Sequence, residues 1–177
     1  MNYCSYCGSD KIVKEIPKNE DVLRSVCSNC KTIHYVNPNI IVGCIVEYDG
    51  KILLAKRGIE PRMNYWNLPC GFLEMSENVE DGAIREVYEE TGLQVEIIKL
   101  QTVYNVVHSG QVYLIFSATA DNSNFKETFE TLESKFFSPD EIPWDEIAFS
   151  ANTYALKKYI NFDSKTKDFV HIGSTLN

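Results

Sequence analysis

The chain reads as an α/β protein: a mixed β-sheet with helices on its faces, preceded by a small cysteine-bearing module. Three observations predict this. Runs rich in β-branched and aromatic residues recur between turn signals, a thirteen-residue amphipathic helix interrupts them, and two Cys-x2-Cys pairs stand apart near the N-terminus.

Taken in order, residues 11–16 and 22–26 read as two short strands around a polar PKNED turn. Asn37-Pro38-Asn39 marks a joint, which divides the chain into a module at 1–37, a main domain at 38–162 and a tail at 163–177. Residues 40–48 form a strand, Asp49-Gly50 a hairpin turn and residues 51–56 its partner. A loop over 58–64 leads into the short apolar segment WNLPCGF. The helix covers 79–91, with Asn78 as N-cap, Glu80 and Asp81 in its first turn, and Gly92 as its left-handed stop. Residues 95–107 and 111–120 make a second hairpin across His108-Ser109-Gly110. A polar loop over 121–131 precedes a strand at 132–137. Ser138-Pro139-Asp140-Glu141 starts a turn with proline at the first helical position, and a helix follows at 149–160. The last residues, 161–177, are polar and read as an extended or partly disordered tail.

Composition bounds the function. With 44% apolar and 12% aromatic residues there is material for a core, and no apolar run is long enough to cross a bilayer. A formal charge of −8 repels nucleic acid and anionic lipid, so neither is an expected partner. The chain opens MNYCSYCG, without a secretory apolar stretch, and a soluble cytoplasmic protein is the expectation.

On the helix, Glu86, Glu89 and Glu90 fall within an arc of roughly 100°, with Ala83, Ile84, Val87 and Tyr88 on most of the opposite side. Two unit charges ~5 Å apart repel by about 3 kcal/mol at an effective dielectric near 20, yet exposed helix pairs cost only a few tenths of that. An acidic face bathed in water is therefore one reading. The other is a site whose crowding is rewarded by a hard cation such as Mg2+. Arg85 can hold a carboxylate in a forked pair, and Glu77 can approach the same face from the loop before the helix.

Cys4-x2-Cys7 and Cys27-x2-Cys30, with 19 residues between the pairs, fit a four-thiolate zinc ribbon. About thirty residues bury little core, so bound Zn2+ would stabilise the segment. Disulfides lack a secretory context, and a redox pair would sit in a strand–helix unit that is not present here. Cys44, in an apolar strand, reads as a small buried residue.

The run GFLEMSENVEDGAIREVYEETGL (71–93) has the spacing G-x5-E-x7-R-E-U-x-E-E-x-G-U, where U is aliphatic, and so resembles the signature of the Nudix hydrolases at every position. The resemblance implies an α/β/α sandwich over roughly residues 39–160 and hydrolysis of a diphosphate linked to another group. It implies Mg2+ or Mn2+ held mainly by Glu86 and Glu90, with Glu89 and the Gly71 carbonyl assisting, and an Arg85–Glu77 pair that orients the helix. A catalytic base from a loop after the second hairpin is another family habit. Glu127, Glu130 and Glu133 are available for it, and Glu130 is the choice here. HYVNPNIIVGCIVE (34–47), YWNLPCGFLE (65–74) and DEIPWDEIAFSANTYAL (140–156), with the ribbon, look like the narrower zinc-ribbon group similar to plant FAD pyrophosphatases.

That resemblance points to a dinucleotide substrate, FAD or ADP-ribose. Tyr65 and Trp66 can stack on a ring with Arg57 or Arg62 near phosphate, although Trp66 can equally cap the core. Cys70 stands where relatives carry glycine or alanine, and it places a thiol that oxidation or an inhibitory metal can reach close to the site. Relatives often pair, so a homodimer is a further expectation. Competing functions are NADH hydrolysis, nucleotide sanitation, or a non-catalytic nucleotide-sensing regulator.

Overall fold

A computed structural model of the chain describes residues 1–126, 128–161 and 169–175. It divides into two compact units, Met1–Asn37 and Pro38–Asn177.

The first unit is a three-stranded antiparallel sheet in the order β1 (Ile12–Glu15), β2 (Arg24–Cys27), β3 (Ile33–His34). Each Cys-x2-Cys pair sits in a matching turn. Gly8 N–H donates to the Cys4 carbonyl at 2.9 Å and Lys31 N–H to the Cys27 carbonyl at 2.8 Å. Gly8 and Lys31 both have positive φ, at 72° and 63°. β3 lies outside the sequence reading, because two residues give no periodicity to detect.

The second unit holds β4 (Asn39–Tyr48), β5 (Lys51–Arg57), β6 (Trp66–Asn67), β7 (Cys70–Phe72), α1 (Val79–Thr91), β8 (Val95–Val106), β9 (Gln111–Ala120), β10 (Thr131–Phe137), α2 (Ser150–Ile160) and β11 (His171–Thr175). Its sheet runs β10-β5-β4-β9-β8-β11, with β6 paired to β5 and β7 to β4. β4 pairs β9 in parallel and β11 pairs β8 in parallel, while the other pairings are antiparallel, so the sheet is mixed. Asp49 and Gly50, both at positive φ, make the β4–β5 turn, as a two-residue hairpin requires.

Strand alternation sorts the core into two layers. Ile41 and Ile45 of β4 join Leu54, Tyr104, Ile115, Ala151, Ala155 and Leu156 under α2. Val42, Cys44 and Val46 point the other way and join Ala83, Val87, Leu93 and Phe116 under α1. The result is the expected α/β/α sandwich. Two 3-10 turns, Pro139–Glu141 and Trp144–Glu146, lead into α2. Ser138 and Glu141 close the first in a reciprocal cap.

Within the polar stretch read as a tail, His171–Thr175 is an ordered strand. Gly173 packs where a Cβ would come within 2.7 Å of the Tyr154 ring. Tyr154 Oη donates to the Ile172 carbonyl at 2.9 Å, and the hydroxyls of Tyr104 and Thr175 are 2.6 Å apart. No helix among the described residues is long and apolar enough to cross a membrane.

Candidate active site

β7 carries the start of the site. It lies antiparallel on β4 with Gly43 opposite Cys70, Val42 opposite Gly71 and Ile41 opposite Phe72. The approach at Gly43 is so close that a Cβ there would overlap Cβ of Cys70 and the Pro69 carbonyl. Gly71 in turn packs directly against the Glu86 carboxylate, where a Cβ would overlap both oxygens.

α1 then brings in the acids. Asn78 caps it by accepting from Asp81 N–H at 2.8 Å, and Gly92 ends it at φ 74°. Gly82, the weak point of the helix by propensity, has a spatial reason. A Cβ there would stand 2.8 Å from Glu77 Oε1 and 2.9 Å from Leu73 Cδ1.

Arg85 organises the cluster. Its Nε and Nη2 grip the two oxygens of Glu77 at 2.9 and 2.8 Å, a forked pair. Nη1 reaches Glu86 at 2.8 Å and Glu89 at 2.9 Å, and Nη2 also donates to the Phe72 carbonyl at 3.1 Å. The Arg85 guanidinium, helped by Glu74 N–H at 2.7 Å, holds Glu77 down to about 2.

The three helical glutamates do not share one environment. Glu89 is exposed, Glu86 is partly buried, and Glu90 is only 9% exposed. The reading of a single acidic flank needs this correction. Glu90 lies about 20° from Ala83 and about 60° from Val87 around the axis, so the core face takes it in. Its carboxylate accepts from the Cys70 N–H at 3.1 Å. Burial pushes Glu90 up to about 8, with Glu86 and Glu130 adding to the rise and Arg57 and the Cys70 N–H opposing it. Burial raises Glu86 as well, against Arg85.

Glu130 is close enough to raise both Glu86 and Glu90. Its segment is tethered by Gly58 N–H to the Glu130 carbonyl at 2.8 Å and by Thr128 Oγ1 to the Glu90 carbonyl at 3.2 Å. Glu133 is exposed on β10, paired with Lys56, and Glu127 lies outside the described residues.

Beside Cys70 and Gly71 opens a cleft of about 590 Å3 on the α2 side of the sheet, a size that suits a small-molecule ligand. Arg57 and Arg62 line it together with Phe72, Tyr113, Gln111 and Phe149. Arg57 Nε donates to the Pro61 carbonyl at 2.8 Å and its guanidinium lies 5.1 Å over the Phe149 ring. Arg62 stacks on Tyr65 at 5.3 Å. Trp66 is a correction: it is buried in the core, edge-on to Phe137 at 4.9 Å, so its faces are not free to stack on a ligand. Phe72, Tyr113 and Phe149 line the cleft instead. Phe149 stands inside the segment 140–156, but no spacing there marks it as a cleft residue.

A buried polar chain runs behind the cleft. Asn152 of α2 donates to Asn67 Oδ1, and Asn67 Nδ2 reaches Cys70 Sγ at 3.5 Å. The Cys70 thiol is pushed well above the usual thiol range, by burial first and then by the charge of Glu90. The thiol is therefore held protonated, while the residue itself is partly exposed and lines the cleft.

In the first unit the sulfurs of Cys4, Cys7, Cys27 and Cys30 all lie within 4.8 Å of one another. Cys4 and Cys30 are 3.6 Å apart, and Cys7 and Cys27 3.7 Å. A tetrahedral zinc ion about 2.3 Å from each sulfur spaces them about 3.8 Å apart, so this donor set fits that ion.

Fold, helix and cysteine cluster together define a class. The NUDIX domain family model matches residues 37–157 and the zinc-ribbon model described as Nudix N-terminal matches 2–36, so the chain belongs to the Nudix family and carries its N-terminal zinc ribbon. It is similar to a crystal structure of a NUDIX hydrolase from Nitrosomonas europaea, at 40% identity and TM-score 0.92, covering 99% of each chain. An ADP-ribose pyrophosphatase of Methanocaldococcus jannaschii is 33% identical over 62% of this chain and 67% of its own length. An NAD-capped RNA hydrolase NudC of Vibrio parahaemolyticus is 29% identical over 81% of this chain and 53% of its own length.

Proposed function

We propose that the chain is a divalent-metal-dependent pyrophosphatase acting on a nucleoside diphosphate linked to a second group. The observation that carries this reading is the Arg85 fork, which fixes Glu77 and draws Glu86 and Glu89 together. Gly71 lines the cleft of about 590 Å3, and Glu90 is held next to it by the Cys70 N–H.

The residues fit a hard cation. Glu86, Glu89, Glu90 and the Gly71 carbonyl offer oxygen donors only, and the missing Cβ at Gly71 leaves Glu86 a cradle against the backbone. These residues would hold Mg2+ or Mn2+, which supplies polarisation of a phosphoryl oxygen and a water of lowered pKa. Arg85 and Glu77 keep the acids in place. Glu130 takes the proton of the attacking water, a role supported by its nearness to Glu86 and Glu90. Arg57 and Arg62 hold the diphosphate, while Phe72 and Phe149 flank the base. In the first unit the four cysteines hold Zn2+ as a structural ion.

With ADP-ribose as substrate, water would yield AMP and ribose 5-phosphate. The relatives' own activities favour ADP-ribose or an NADH-type dinucleotide, and FAD, which would yield FMN and AMP, is the third candidate. The test is a panel of ADP-ribose, NADH, FAD, NAD-capped RNA and nucleoside triphosphates in Mg2+ or Mn2+, read by mass spectrometry. Cleavage by the wild type and its loss in Glu90→Gln support the reading. Absence of turnover with every member would leave a nucleotide-binding regulator instead.

A further inference from the structure

Tyr113 on β9 stands out among the tyrosines of the α2 layer. Its cross-strand partner Tyr104 is bonded to Thr175 at 2.6 Å, Tyr154 to the Ile172 carbonyl at 2.9 Å and Tyr159 to Glu47 at 2.6 Å. Tyr113 is only 5% exposed, yet among the described residues its hydroxyl makes no hydrogen bond. Its oxygen is not one of the buried polar atoms that lack a partner, so this hydroxyl keeps access to the cleft that the residue lines. Tyr113 lines it together with Arg57, Arg62, Phe72 and Phe149. Burial pushes the phenol up to about 12, with Cys70 adding to the rise and Arg57 opposing it, so the group stays protonated and shares its surroundings with the Arg57 guanidinium.

We propose that Tyr113 is a substrate-contacting residue whose hydroxyl donates a hydrogen bond to an oxygen of the diphosphate held by Arg57. This rests on the pyrophosphatase reading given above. The group is pre-placed by packing on both sides of its strand, and the ligand supplies the acceptor that the protein leaves out.

Tyr113→Phe and Tyr104→Phe separate this from a packing role. A hydroxyl with no internal partner contributes nothing to the folded state, so Tyr113→Phe should melt within about 2 °C of the wild type. Its kcat/KM on the best substrate should fall about tenfold, chiefly through KM. Tyr104→Phe should do the reverse, losing stability while keeping kcat/KM. Titration with a non-hydrolysable methylene analogue of ADP-ribose should give Tyr113→Phe about tenfold weaker binding. Unchanged kinetics and binding in Tyr113→Phe would overturn the proposal. So would a clear fall in its melting temperature, since that reveals an internal partner. If the wild type binds the analogue but cleaves nothing, the pyrophosphatase reading fails while the titration still decides the role of Tyr113.

Discussion

The Glu90 carboxylate accepts the backbone N–H of Cys70 at 3.1 Å, which ties the acidic helix to the strand that crosses Gly43. The bond does not offset the burial of that carboxylate, which is raised from 4.5 to about 8. Between those values the folded chain retains a proton that the unfolded chain has released, so stability falls as pH rises through the window. In chelator, the melting temperature should decline from about pH 5 to about pH 8, and Glu90→Gln should flatten that decline. Added Mg2+ should oppose it by favouring the ionised form. An equally steep decline in Glu90→Gln would assign the slope to another group.

Arg85→Lys removes a planar fork that serves three carboxylates and the Phe72 carbonyl. A single ammonium cannot reproduce that geometry. Activity or metal affinity should drop roughly 10–100-fold, as for residues that orient metal ligands, while the circular dichroism spectrum is retained. Wild-type rates in Arg85→Lys would refute the orienting role.

At Gly82, propensity and packing disagree in sign. Helix propensity alone favours alanine over glycine by about 1 kcal/mol. The structure puts a Cβ 2.8 Å from Glu77 Oε1, which Arg85 holds in place, and 2.9 Å from Leu73 Cδ1, the end of a partly buried side chain. Gly82→Ala should therefore lower both the melting temperature and the rate, and a gain in stability would show that the contact yields.

The zinc ribbon makes its own forecast. The native protein should carry one zinc per chain by elemental analysis, and Cys27→Ser or strong chelation should remove it. Loss of the β1–β2–β3 amide signals in NMR should follow, since the buried residues of the unit are only Cys4, Pro17, Ser25, Val26, Cys27 and His34. Retention of those signals without metal would show a unit that folds on its own packing.

Much of this was readable from the chain. Asp49-Gly50, Asn78, Gly92 and the cysteine pairs are local signals whose chemistry fixes geometry within a few residues, and the structure has each in its expected turn or cap. Long-range features were not readable. β11 is five residues, HIGST, whose pairing with β8 depends on Gly173 admitting Tyr154 and Tyr104. The burial of Glu90 follows from Ala83 lying about 20° from it around the helix, a spacing present in the chain, while its contact with the Cys70 N–H of β7 is long-range. Trp66 offered both a stacking face and a core cap, and its contact with Phe137 from a distant strand chose the second.

Position 43 sets the clearance of the whole assembly. With hydrogen as its side chain, it lets the segment after Pro69 settle onto β4 at backbone distance, within reach of Glu86 and Glu90. A single added methyl in the middle of this apolar strand, remote in sequence from every acid, would lift that segment away from the helix. A screen that scored Gly43 only as a core position would miss it, because the fault would surface first as lost turnover.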